Sequence, residues 1–246
     1  LNKLFAKASF IGLRNTGSIR AMKNHVDKKN INKIVLQYCP TMCLWQLKNR
    51  FSHIQTENTN IFRKRLAINM AFDREELRYK SEKVKILRRV AESIKFAEIN
   101  GWQINIVSHK EKDLEFKNYL DDLKNDYENI NLTNSTAKQI VDFYMGIDFT
   151  IGMRGHSQMI PFGLRKSILS LISHDKMKFL LEDINRTNWG LEINSPNLTE
   201  EIIDNLNDFE NNFGAWNTDI SNLQQEVWDK TIMNMEFIKN KLKIYN

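Results

Sequence analysis

Residues 148–176 read "DFTIGMRGHSQMIPFGLRKSILSLISHDK". An apolar, β-branched run stops at Gly152, and a second run, 167–172, stops just before His174. Both runs are nearly continuous in apolar residues, as strands covered on both faces are. Residues 156–163 between them have the length of a short helix closed by Gly163. A strand, a helix and a strand in this order form a βαβ unit, which makes the strands parallel. The polar residues cluster at one end of this unit. Arg154 and His156 follow the first strand and Lys176 follows the second. In an open parallel sheet that edge is where ligands sit.

The same alternation extends in both directions. Strands are expected over 9–14, 32–40, 64–72, 102–109 and 128–134. Between 81 and 99 the apolar residues Val84, Ile86, Leu87, Val90, Ala91, Ile94 and Ala97 fall at helical spacing, with Gly101 as the stop. Shorter helices are expected over 17–25, 111–124 and 175–185. Another follows Ser135 or Thr136 as N-cap and ends at Gly146. Residues 199–211 and 220–243 read as two helices with no strand between them. Segment 42–63 has the least regular pattern and reads as a surface loop. The fold class is therefore α/β, a Rossmann-like parallel sheet flanked by helices, over residues 1–195. C-terminal helices over 196–246 pack on that lobe or on a further N-terminal lobe.

Of the 246 residues, 41% are hydrophobic and 27% charged, with a formal net charge of +6. The 36 basic residues read as spread along the chain among 30 acidic ones. A basic balance suggests nucleic acid first, but no block reaches the length of a nucleic-acid-binding arm, so small anions or an anionic surface fit the balance at least as well. The densest cluster, "FRKRL" at 62–66, leads into a strand. Cys39 and Cys43 lack metal-site spacing and are too few for a disulfide framework, so both read as free thiols in a reducing cytosol. No apolar run approaches the roughly 18–20 residues of a membrane span. The chain begins with Leu1 rather than Met, as a fragment would.

Three strands end in cationic or titratable residues: 9–14 at Arg14, 148–154 at Arg154 with His156, and 167–172 before His174 and Lys176. If the sheet brings these ends together, Arg14, Arg154, His156 and Lys176 form a pocket for a small polyanion. Helix starts after Gly155 and Ser173 would add N–H donors. The plainer reading stands beside this one. A lone arginine at a strand end is ordinarily solvated or salt-bridged, and a lone histidine at a helix start is often a cap. His25, His53 and His109 have no such setting and read as surface or structural. No H-E-x-x-H pair and no G-x-S-x-G elbow occurs.

The segment "DFTIGMRGHSQMIPFGLRKSILSLISHDKMKFLLEDI" (148–184) resembles the signature region of the polysaccharide pyruvyl transferase family, with its Arg-x-His-Ser motif opening a helix between two strands. "FIGLRNTGS" (10–18) is similar to that family's strand ending in an arginine. The resemblance runs in order from about residue 5 to about residue 195. It implies one lobe of a GT-B-like fold, the C-terminal one. It implies pyruvyl transfer from phosphoenolpyruvate to two hydroxyls of a cell-surface polysaccharide or its lipid-linked precursor, forming a pyruvate ketal. His156 would then be the acid/base, and Arg14, Arg154, Lys176 and Ser157 would bind substrate. Phosphoenolpyruvate would be a donor substrate rather than a cofactor, with no metal and no nucleic acid required. The setting would be cytoplasmic, at the membrane's inner face where the acceptor is lipid-linked. The chain departs from the family at Gly155, where a bulkier apolar residue is usual, and at Asn15, where an acidic residue is common. Two other readings use the same residues: a GT-B glycosyltransferase with a nucleotide-sugar donor, and a non-catalytic glycan-binding lobe. The last predicts that the four groups are scattered rather than gathered in one pocket.

Overall fold

The computed structural model describes residues 2–51 and 62–241. The chain opens with α1 (Asn2–Lys7), β1 (Ile11–Leu13), α2 (Thr16–Lys23) and β2 (Ile34–Leu36). β1 and β2 pair in parallel as a two-stranded sheet of their own. The strand expected over 9–14 therefore exists but does not join the large sheet. Three residues per strand, backed by the small cluster of Phe5, Val26 and Ile34, make it a minor layer.

A 3-10 turn at Pro40–Cys43 leads into α3 (Leu44–Phe51). Part of the segment expected to be a surface loop is thus helical, and Met42, Cys43 and Leu44 are buried. Leu44, Leu47 and Phe51 do fall at helical spacing, but eight residues hold only two turns, too short a window for the period to stand out. Residues 52–61 of that expected loop, His53 included, lie outside the described residues.

The main body follows as β3 (Arg65–Asn69), α4 (Glu75–Tyr79), α5 (Lys83–Ile99), β4 (Gln103–Ser108), α6 (Phe116–Asp122), β5 (Glu128–Asn131) and α7 (Ala137–Met145). It continues with β6 (Phe149–Gly152), α8 (His156–Gly163), β7 (Ser167–Ile172), α9 (Asp175–Asp183) and β8 (Gly190–Glu192). The sheet order is β5-β4-β3-β6-β7-β8, all parallel. The chain builds outward from β3 in one direction, then returns to β3's other side and builds outward again. β3 and β6 flank this switch point, where Asn69 lies opposite Gly152, and the crevice of such a sheet opens there.

The alternation within strands sorts side chains onto the two faces. Leu66, Ile68, Ile104 and Ile106 join the large cluster under α5, while Ala67 and Val107 join the smaller one under α7. Local signals set the helix ends. Thr136 caps α7 with Gln139 in a reciprocal capping box. At the end of α5, Gly101 takes φ +83°, and the N–H groups of Trp102 and Gly101 return to Ala97 O and Glu98 O. The edge strand β8 was not expected, because three residues that include a glycine carry no period.

The tail forms α10 (Leu198–Asn211) and α11 (Phe213–Lys241), separated by Asn212 alone. α10 lies on α5, where Thr199 Oγ1 donates to Arg89 O. α11 runs from the large sheet to the small one. There Asn234 Nδ2 donates to Leu36 O at 2.8 Å, and Phe237 approaches Phe10. Among the described residues no helix is long and apolar enough to cross a membrane.

Candidate active site

Arg14, Arg154, His156 and Lys176 all line one cavity of about 400 Å³. Two sheets deliver them. Arg14 follows β1 in the small sheet, and the other three follow β6 and β7 in the large one. The small unit is held against α9. Asp183 accepts from Thr16 N at 3.1 Å, Tyr38 Oη donates to Asp183 O at 3.0 Å, and Arg20 pairs with Glu182 at 2.8 Å. Gly17 lets α2 come close, since a Cβ there would lie 2.2 Å from the Phe179 ring. α9 thus carries Lys176 in its first turn and anchors Arg14's helix at its last.

The four residues differ in how free they are. Arg14 is exposed, and neither it nor Lys176 enters an ion pair among the described residues. Asn15 caps α2 by accepting from Ser18 N at 2.7 Å. An acidic residue would cap equally well but would also compete for Arg14, so asparagine leaves that cation uncompensated.

Arg154 is different. Its side chain is 10% exposed, and its guanidinium donates through Nε to Asp113 at 2.8 Å and through Nη1 to Asp73 at 2.9 Å. Asp113 is fully buried and also accepts from the backbone N–H groups of His109 and Lys110. Asp73 further accepts from Arg78 and Lys110, each at 3.1 Å. Burial alone would raise the Asp73 carboxyl; the Arg154 and Lys110 hydrogen bonds outweigh it and hold it well below the usual range.

Ser157 stands apart from the expectation of a substrate contact. It is fully buried and does not line the cavity. Its hydroxyl donates to Arg154 O at 2.8 Å and accepts from Arg154 N at 3.2 Å, fixing the turn into α8. That turn also needs Gly152, because a Cβ there would meet Gln158 Nε2 at 2.1 Å and Ser157 Oγ at 2.4 Å. Gly155 lines the cavity, and a Cβ there would meet only the end of Met159.

His156, in the first turn of α8, is exposed to the cavity and hydrogen-bonds the Cys39 thiol. That bond, against the opposing effect of burial and helped by Thr41, brings the thiol down to about 7. Cys39 and Cys43 are both free thiols.

The cavity also holds residues outside the four-residue set expected from the sequence. Arg78 donates to Ser173 Oγ at 2.9 Å, and Lys110 follows β4. His109, expected to be a surface or structural residue, lines the cavity wall. It hydrogen-bonds Tyr144 Oη at 2.8 Å, and burial pulls its imidazole down to about 4. His174 stands at the N-cap position of α9, and burial followed by Arg78 lowers its imidazole. The place of β4 beside β3 could have pointed to His109 and Lys110, His174 is legible at the end of its strand, and Arg78, on α4, carried no sequence signal. Asp73 and Asp113 do not stand out in the sequence, one lying just past an expected strand and the other within an expected helix.

The cavity is therefore cationic in front, with two carboxylates behind. Arg14 and Lys176 present uncompensated charge, Arg78 and Lys110 share Asp73, and Met42, Met159, Met177 and Leu180 supply an apolar wall. Among the described residues no group of three or more His, Cys, Asp or Glu side chains is placed to hold a metal ion.

Residues 1–175 match the family model "Polysaccharide pyruvyl transferase". The chain belongs to that family. The match covers the small sheet and β3 to β7 and ends at the start of α9, before β8, so it takes in Arg14, Arg154 and His156 but not Lys176. No curated protein matches the chain. Among solved structures, a mutant of the Thermobaculum terrenum O-GlcNAc transferase is similar at 10% identity and a TM-score of 0.49, over 79% of this chain and 37% of that one. This pyruvyl transferase family member thus spans little more than a third of that structure's length.

Proposed function

We propose that the chain transfers the pyruvyl group of phosphoenolpyruvate to two hydroxyls of a polysaccharide or its lipid-linked precursor, forming a pyruvate ketal. The observation that carries this reading is the meeting of Arg14, His156 and Lys176 in one cavity, from two sheets and three strand ends. Their shared lining of one cavity supports this reading over a non-catalytic lobe, which predicts a scattered set. The cavity volume lies toward the small end of ligand sites.

The charges suit the donor. A phosphomonoester carries roughly −1.5 to −2 at neutral pH, and the carboxylate adds another unit. Arg14 offers a planar fork for one group and Lys176 a point charge for the other. Arg154, held by Asp113 and Asp73, lines the cavity, and the Ser157 bonds to its backbone fix the turn that presents His156. The apolar wall excludes water from the methylene carbon.

The reaction then balances without a redox partner. C3 of the donor takes a proton, which leaves an oxocarbenium-like centre at C2. The first hydroxyl adds to C2, the C2–O bond to phosphate breaks, and the second hydroxyl closes the ketal. The two hydroxyl protons end on C3 and on the departing phosphate. His156 is the proton carrier, a role worth about 10²–10⁴ in rate. The cations stabilise the leaving phosphate.

Phosphate release from phosphoenolpyruvate in the presence of candidate glycans tests the reading, with His156→Ala as the control. Full activity in that variant removes His156 from the mechanism. Stabilisation by UDP- or GDP-sugars but not by phosphoenolpyruvate favours a nucleotide-sugar transferase instead.

A further inference from the structure

The net positive charge is not spread along the chain as the sequence had suggested. Residues 1–40 contain eight lysines and arginines and a single acidic residue, Asp27, a net of +7. The rest of the chain holds 28 basic and 29 acidic residues, a net of −1. The small sheet with its two helices is a strongly cationic unit on a near-neutral body.

A groove of about 790 Å³ lies between this unit and the last turns of α11. Lys7, Lys29, Lys33, Lys230 and Lys241 line it, and no aspartate or glutamate does. None of the five enters an ion pair among the described residues. Lys64, Lys83, Lys95, Lys110, Lys138 and Lys178 elsewhere all do. Lys33 donates to Phe5 O and Ala6 O at 3.1 Å, and Lys241 lies over the Phe237 ring at 5.6 Å. Neither contact neutralises its charge.

The groove is also apolar. On α11, Lys230, Met233, Phe237 and Lys241 fall three and four residues apart and so share one stripe. Met233 is 51% exposed and Phe237 45%. Outside the groove lining, on α1, Leu4 is 73% exposed and stands one turn before the groove residue Lys7. Exposed apolar side chains bounded by lysines are the pattern of a surface that lies in a lipid interface.

We infer that this face docks on an anionic lipid bilayer. The lysines meet lipid phosphates, while Leu4, Met233 and Phe237 enter the headgroup–acyl boundary. A soluble polyanion would satisfy the lysines and leave the apolar residues in water. A wholly apolar partner would bury lysines without counter-ions. An anionic bilayer satisfies both sets. Phe10 lines the groove and Arg14 the cavity, at opposite ends of β1. Four residues of strand separate them by about 13 Å. Docking would hold the cavity close to the membrane surface. The inference does not depend on the reaction proposed above, because it is tested without donor or acceptor.

The test is co-sedimentation of the chain with phosphatidylcholine vesicles, with and without phosphatidylglycerol. Binding is expected only with phosphatidylglycerol, at least about tenfold above neutral vesicles, and falling as salt shortens the screening length. Combining Lys7→Glu, Lys29→Glu and Lys230→Glu abolishes it. Combining Leu4→Ser and Met233→Ser, both exposed side chains, weakens it several-fold at an unchanged melting temperature. Equal binding to neutral vesicles, no binding to either, or full binding by the lysine variant overturns the inference. So does a concentration-dependent dimer that the Leu4→Ser, Met233→Ser variant dissolves, since a second copy would then cover the groove.

Discussion

Asp113 receives the Arg154 guanidinium on both carboxylate oxygens, with the Nε contact at 2.8 Å, and both residues are buried. Removing one partner of such a pair strands the other charge, at a cost of about 3–5 kcal/mol. Asp113→Asn is therefore expected to lose stability of that order in urea unfolding. The double change Asp113→Leu with Arg154→Met removes both charges and should recover most of the loss, yet leave donor binding impaired. If Asp113→Asn unfolds at the wild-type urea concentration, the pair does not organise the cavity.

Arg14 and Lys176 should behave in the opposite way. Both line the cavity, and neither enters an ion pair among the described residues. Replacing either by alanine is expected to leave stability within about 0.5 kcal/mol. Each loses charge-assisted hydrogen bonds worth about 1.5–3 kcal/mol, so affinity for phosphoenolpyruvate drops by about 10- to 100-fold. Arg14→Lys restores only part of it, because an ammonium cannot replace a fork. Calorimetric titration reads the affinity and thermal melting reads the stability. A loss of stability without a loss of affinity would make the two residues structural rather than donor-binding.

The contrast between these residues shows what was legible in the sequence. Strand ends are visible as the points where apolar runs stop, so Arg14, Arg154 and Lys176 could be named before any fold was known. The sheet that each strand joins was not visible. β1 looks like any other short strand, yet it pairs only with β2, and Arg14 crosses to the cavity from outside the large sheet. Counter-charges were also hidden. Asp73 follows an expected strand and Asp113 lies in an expected helix, and only tertiary packing turns them toward Arg154. His109, read as surface or structural, is a structural partner of Tyr144 that also lines the cavity. Its burial comes from Tyr144 and its exposure to ligand from the cavity, and both partners are distant in sequence.

His109 carries a pH dependence. Burial holds its imidazole down to about 4, whereas the unfolded chain takes up that proton near the ordinary value of 6.5. Between the two values the unfolded state binds more protons, so stability falls as pH drops through that window. The contribution by pH 5 is about 2 kcal/mol. His109→Gln cannot titrate and should lose correspondingly less between pH 7 and pH 5. Urea midpoints of the two proteins at both pH values measure it. Equal losses would show that His109 is not the group responsible.

Cys39 should be the more reactive thiol. The His156 hydrogen bond brings it down to about 7, while burial pushes Cys43 up. Iodoacetamide at neutral pH is expected to label Cys39 first, with a rate that rises through an inflection near pH 7. In His156→Ala the inflection should move upward, because the largest lowering influence is gone. Peptide mass spectrometry across pH follows both sites. An inflection that stays in place in the variant separates Cys39 from His156.

Gly17 links the small sheet to the cavity. A Cβ at that position would fall 2.2 Å from the Phe179 ring, so with a larger residue either that ring or α2 must shift. Gly17→Ala is expected to cost about 1–3 kcal/mol as an overpacked contact. It should also weaken phosphoenolpyruvate binding, since Arg14 lies just before α2 and shifts with it. Adding Phe179→Leu makes room for the methyl group and should restore both properties together. Their joint recovery would identify the α2–α9 contact as what positions Arg14. Recovery of stability with binding still impaired would place the cause elsewhere.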